Sequence, residues 1–105
     1  MPLPQLTHLQ FLVLSHLAAG ESSGREMRAY LRENGVRQSG PAFYQFIAGM
    51  EDAGYVEGWY EQQVVDGQII RERHYRALAS GRRALQRSRD FYAAALGIRP
   101  KLLRA

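Results

Sequence analysis

The stretch Ser39–Gly67, SGPAFYQFIAGMEDAGYVEGWYEQQVVDG, changes its period halfway, and that change decides the fold. Up to Met50 the apolar residues Phe43, Phe46, Ile47 and Met50 recur at i, i+3, i+4 and i+7, one stripe of an α-helix. Pro41 follows Ser39 in the first turn, where a missing N–H costs little, and Gly54 closes the helix. From Tyr55 the chain turns aromatic and β-branched, through Val56, Trp59, Tyr60, Val64 and Val65. Asp66-Gly67 then marks a hairpin, because a type I′ turn needs positive φ at both central positions. A returning strand is expected over 68–78, through Ile69, Ile70 and Tyr75. A strict two-residue loop would set Glu61 against Glu72, so like charges favour a bulge or a longer loop.

Upstream lie two shorter helices. The first, over 7–19, opens with Thr7 and Gln10 at capping-box spacing and carries Leu9, Leu12, Val13 and Leu17 before Gly20 ends it. The second opens at Ser23 with Glu26 three residues on, turns Met27, Tyr30 and Leu31 inward and Arg25, Arg28 and Arg32 outward, and stops at Asn34-Gly35. Downstream, 80–96 reads as a longer helix with Leu85, Phe91, Tyr92, Ala95 and Leu96 on its apolar side. The order is helix, helix, helix, strand, strand, helix. This is a mainly α fold with a β-hairpin wing, a winged helix-turn-helix. Residues 1–78 form that domain, 79–97 a C-terminal dimerisation helix packed on it, and 98–105 a short basic tail.

A chain of 105 residues makes one domain with a modest core, and such chains often gain stability by pairing. The lack of cysteine excludes disulfides and thiolate chemistry. The start, MPLPQLTHLQ, has no basic n-region, and the apolar run 11–14 is far too short to span a bilayer, so a cytoplasmic protein without a membrane partner is expected. Thirteen arginines and one lysine give a net charge of +4, and six of the ten acids fall between Glu51 and Glu72. Arginine suits phosphate, since its planar guanidinium donates in a fork and stays ionised. A basic winged helix points to duplex DNA, with the third helix entering a major groove about 12 Å wide and the hairpin flanking it.

Four segments carry a more specific likeness, one of them the wing hairpin with Trp59 and the Asp66-Gly67 turn. LVLSHLAAGESSGREMRAYL, SGPAFYQFIAGMEDAGYVEG and RERHYRALASGRRAL, with Tyr44, Glu51, Gly54, Tyr75 and Gly81 at their joint spacing, resemble the PadR family of bacterial transcriptional regulators over 9–85. The resemblance implies a homodimer that represses transcription, with the C-terminal helix supplying most of the dimer contact. It also implies an aromatic small-molecule effector as a candidate partner, since some members of that family release DNA on binding one. The single helix after the wing is similar to the family's short-tailed branch. Gly40-Pro41-Ala42 departs from the family's Pro-Gly-Thr and loses a hydroxyl that could reach a phosphate.

The candidate DNA contacts are Arg25, Ser39, Tyr44, Gln45, Arg71 and Arg73. Tyr44 is placed to bond a phosphate or to lie half-buried under the wing, and Gln45 to pair with adenine. Arg71, Arg73 and Arg76 alternate along the second strand, either lining the DNA backbone or pairing across the hairpin with Glu57 and Glu61. The third helix bears no lysine or arginine, and its outward Ala48 and Gly49 carry no hydrogen-bond code. That bareness motivates the alternative, a winged helix that has lost base readout and binds a protein partner or a small ligand. The candidate dimer surface is Leu85, Ser88, Phe91, Tyr92, Ala95 and Leu96. Trp59 is expected to pack the wing on the core, with ligand stacking as its other reading. His8, His16 and His74 lack metal-ligand spacing, and Glu51-Asp52 reads as a solvated face. No catalytic residue, metal ligand or cofactor motif can be named, so no enzyme is expected.

Overall fold

The computed structural model describes residues 3–97; the basic tail expected over 98–105 lies outside the described residues. The elements are α1 (His8–Ala18), β1 (Ser22–Ser23), α2 (Gly24–Glu33), α3 (Gly40–Asp52), β2 (Val56–Val65), β3 (Gln68–Ala77) and α4 (Ala79–Ala95). The winged helix expected from the sequence is therefore present, with one addition. The pair Ser22–Ser23 forms a third strand, antiparallel to β3 through Ser22 opposite Tyr75 and Ser23 opposite His74. Two polar residues between a glycine and a helix give no periodic signal, which is why the sequence shows only a turn there.

Local chemistry fixes the helix starts. Thr7 accepts the Gln10 N–H at 3.2 Å while Gln10 accepts the Thr7 N–H at 2.9 Å. Ser23 and Glu26 close the same reciprocal box at the start of α2, and Ser39 accepts the Ala42 N–H at 3.2 Å at the start of α3. Each cap satisfies a backbone donor that the first turn leaves orphaned, worth about 1 kcal/mol. The core gathers Val13, Leu14 and Leu17 of α1, Met27 and Leu31 of α2, and Phe43, Ile47 and Met50 of α3 under Val56, Tyr75 and Ala77 of the sheet. The stripe read from α3 is this inner face, with Phe46 only partly buried at its edge.

The hairpin corrects the expected register. Asp66 (φ 51°) and Gly67 (φ 77°) form a two-residue turn, so β2 and β3 pair without a bulge and Glu61 does face Glu72. The facing carboxylates are tolerated because other partners surround them. Arg25 pairs with Glu72, and the Trp59 indole donates to Glu61 at 2.9 Å. His74 Nε2 lies 3.4 Å from Glu61. Two further expectations change here. Trp59 does not reach the core; it stacks on His74 across the outer face of the hairpin, 6.1 Å between ring centroids. Glu51 is not a solvated acid either, for it bonds Arg73 at 3.0 Å and ties α3 to the wing, while Asp52 beside it is exposed.

In α4 the buried residues are Gly81, Ala84, Leu85, Ser88 and Ala93. Leu85 and Ser88, expected on a dimer surface, thus lie inside the protomer, with the Ser88 hydroxyl donating to the Ala84 carbonyl. Tyr92, Ala95 and Leu96 stay exposed, and Phe91 is half-buried edge-on to Tyr92. No helix among the described residues is long and apolar enough to cross a membrane.

Candidate nucleic-acid interface

Alternation along β2 and β3 sorts the wing into two faces. One face carries Tyr60, Gln62 and Val64 opposite Arg73, Arg71 and Ile69, and it continues at its base into the buried Tyr75. The other carries Glu57, Trp59 and Glu61 opposite Arg76, His74 and Glu72. The first face turns toward α3 and the start of α2 and encloses a cleft of about 850 Å³. Four of the six candidate DNA contacts, Arg25, Tyr44, Arg71 and Arg73, line this one cleft. Ser39 and Gln45 lie outside it, exposed on the first turns of α3. The Ser39 oxygen is engaged as the helix cap, which leaves its hydroxyl proton free to donate.

Sequence reasoning missed Tyr60 and Arg28 as members of the same cleft. Tyr60 is exposed, and two guanidinium groups approach its ring, Arg71 at 4.2 Å and Arg73 at 4.8 Å from the centroid. Such stacking orients a cation without neutralising it. Arg28 reaches back from α2 toward the carbonyl of Gln38, beside the start of α3. Room for Tyr44 comes from Gly24, where a methyl group would sit 2.7 Å from the Tyr44 hydroxyl. The phenol therefore lies over the first turn of α2, where unpaired backbone N–H groups favour an anion.

The cations of the cleft differ in what they already hold. Arg73 is half-buried, bonded to Glu51 and facing the Tyr75 ring. Burial works against its charge, but Glu51 and the neighbouring Tyr75 outweigh that and hold it more firmly protonated than usual. Arg25 is paired with Glu72. Arg76, on the opposite face, is paired with Glu57, so the cross-strand reading holds for that residue alone. Among the described residues Arg71 and Arg28 have no carboxylate in salt-bridge range.

Burial pushes the Tyr75 hydroxyl up to about 12, with Arg73 pulling it down and Glu51 adding to the rise. A phenol whose folded value lies above its ordinary 10 stabilises the fold fully below pH 10, and loses that contribution as pH rises through 12. The loss amounts to about 3 kcal/mol at most, at 1.36 kcal/mol per unit. Urea midpoints are accordingly expected to fall between pH 10 and 12, and Tyr75→Phe to flatten that part of the profile. An unchanged profile in Tyr75→Phe would assign the alkaline loss to other groups.

A three-helix core, a hairpin wing and an arginine-lined cleft between wing and third helix define a winged-helix protein. Its fold is that of PadR-family transcriptional regulators. A PadR family transcription regulator from Clostridium difficile R20291 superposes with a TM-score of 0.72 at 18% identity, covering 92% of this chain and 99% of that one. A transcriptional regulator from Clostridium thermocellum gives 0.67 at 19% identity, over 86% and 84% of the two chains. Bacillus subtilis PadR, solved in complex with operator DNA, gives 0.61 at 20% identity, over 76% of this chain and 45% of that one. No protein-family model matches the sequence, and no curated protein matches it significantly.

Proposed function

We propose that the chain is a PadR-like transcriptional regulator, a cytoplasmic, non-enzymatic repressor that binds operator DNA as a homodimer. The observation that carries this reading is the cleft, where Arg25, Arg28, Arg71, Arg73 and Tyr44 converge beside the exposed N-terminal turn of α3. A backbone phosphate is the ligand such a set suits, since charged forks and a helix start both favour it. The fold shared with an operator-bound neighbour supports the same docking, with α3 in the major groove and the wing beside it. Base readout rests on Gln45, because Ala48 and Gly49 are exposed beside it without polar side chains. Phosphate contacts therefore supply most of the affinity, and DNA shape most of the selectivity.

The homodimer reading rests on the surface left open beside α4. Tyr92 borders an apolar crevice of about 330 Å³ with Leu6, Phe11 and Leu12. Leu96 is exposed at the helix end. Phe91, Tyr92, Ala95 and Leu96 are the residues proposed to meet a second copy, and a C2 pair would favour half-sites about one helical turn apart. An aromatic effector would bind at that seam.

Fluorescence anisotropy against the upstream region of the chain's own operon tests the reading. Affinity is expected to fall about a thousandfold or more between 50 and 200 mM salt, with two protomers per duplex. Binding that ignores salt would defeat it. Capture of a stoichiometric protein partner without DNA binding would favour the alternative, to which the bare outer face of α3 lends weight.

A further inference from the structure

We infer that Glu72 is an internal competitor for DNA phosphate, a carboxylate that occupies Arg25 in the free protein and must be displaced before Arg25 can bind the backbone. The inference rests on the DNA reading above and adds to it a residue that sets affinity. Glu72 sits on the outer face of β3, yet at the sheet edge its carboxylate reaches round to Arg25 in the first turn of α2 and helps line the cleft. The Arg25 side chain is 67% exposed, so the pair is screened and exchangeable; the Glu72 side chain is 13% exposed and stays in place.

Three observations separate this pair from an ordinary surface salt bridge. Glu72 faces Glu61 in register, and two like charges so placed repel unless a cation holds one of them. Arg25 is the cation that does so from another element. The second ion pair of the cleft, Arg73 with Glu51, is half-buried on both sides and joins α3 to the wing, which makes it a brace rather than a store. An incoming phosphate therefore meets two unpaired arginines, Arg28 and Arg71, and one that it can win only from Glu72. The arrangement holds affinity below what the arginine count allows, as suits a regulator that must leave its operator.

Glu72→Gln keeps the shape, removes the competitor and relieves the repulsion with Glu61, so the fold is expected to persist by circular dichroism. Operator affinity is expected to rise about two- to fivefold per protomer, the scale of an exposed ion pair. In an Arg25→Ala background the same substitution is expected to change affinity less than twofold, closing a double-mutant cycle. Glu57→Gln, which makes the same charge change on the outer face opposite Arg76, serves as the control and is expected to stay within twofold. Salt-dependent binding by the unmodified chain with no gain in Glu72→Gln, or an equal gain with Arg25 removed, overturns the inference alone. Absence of salt-dependent binding by both proteins overturns the DNA reading, and this inference with it.

Discussion

Gly81→Ala is expected to lower the melting temperature by about 10–20 °C while changing one hydrogen for a methyl. The added carbon would fall on the Tyr55 carbonyl oxygen and 2.9 Å from a Leu14 methyl. Leu14 can turn aside, but the carbonyl cannot. It accepts the Leu78 N–H at 2.9 Å, the bond that joins the start of β2 to the start of α4. Either α4 lifts away from α1, or that bond breaks. Overpacking of this kind costs about 1–3 kcal/mol and the bond about 1 kcal/mol more, and each kcal/mol moves a domain of this size by about 4–8 °C. Gly49→Ala provides the contrast, because nothing stands within 4 Å of its missing methyl on the exposed side of α3. There the helix gains about 0.5–1 kcal/mol, and the melting temperature is expected to rise a few degrees. Thermal melts of the two variants side by side check the account; equal losses at both positions would show that close approach at Gly81 is not what matters.

That glycine also shows how far the sequence could be read. Its position after Tyr75 belongs to the spacing by which the sequence resembles the PadR family, so its presence was legible while its reason was not. The reason is a carbonyl 26 residues away in sequence, brought close only when the sheet and α4 fold together. Elements whose causes are local were legible almost to the residue. The Thr7 and Ser23 boxes and the place of the Asp66-Gly67 turn each need only neighbours within three positions. The inner face of α4 was legible only at Leu85, for the opposite reason. Phe91 and Tyr92 dominate the helix's hydrophobicity, but beside Leu85 its buried residues are the small Gly81, Ala84, Ser88 and Ala93, which allow close approach rather than supply apolar area.

The site divides along the same line. Arg25, Tyr44, Arg71 and Arg73 could be picked one by one, as exposed cations and a phenol near a helix start. What each one holds depended on the hairpin register, and there charge repulsion was given too much weight. Accepting the two-residue loop places Tyr60 opposite Arg73 and Gln62 opposite Arg71, which would have brought Tyr60 into the cleft. It would also have set Glu72 at the edge where Arg25 waits. Glu51 required tertiary knowledge, since its partner lies 22 residues on in another element. Local repulsion between Glu61 and Glu72 lost to Trp59 and His74, two positions away on the same face, and to Arg25, which the sequence does not place beside them.

Arg71→Ala is expected to weaken operator binding about a hundredfold and Arg76→Ala less than threefold, although both are exposed arginines on the same strand. Arg71 belongs to the face that turns toward α3, is aligned by the Tyr60 ring, and has no carboxylate in salt-bridge range among the described residues. It can give its whole charge to a phosphate. Arg76 lies on the outer face, is already paired with Glu57 and stands over Trp59. A hydrogen bond to a charged group is worth at least about 1.5 kcal/mol, and the proposed homodimer would make the contact twice, so the loss in Arg71→Ala is expected to be about 3 kcal/mol. At 1.4 kcal/mol per decade this is the hundredfold stated. Two phosphates no longer neutralised also reduce the slope of log affinity against log salt by about 1.8. Anisotropy titrations from 50 to 200 mM salt read both quantities in one series. A hundredfold loss with an unchanged slope would place Arg71 on a base or on the protein itself instead of on phosphate. Equal losses in the two variants would mean that the basic charge of the wing acts only as a diffuse field, and that the cleft does not organise the contact.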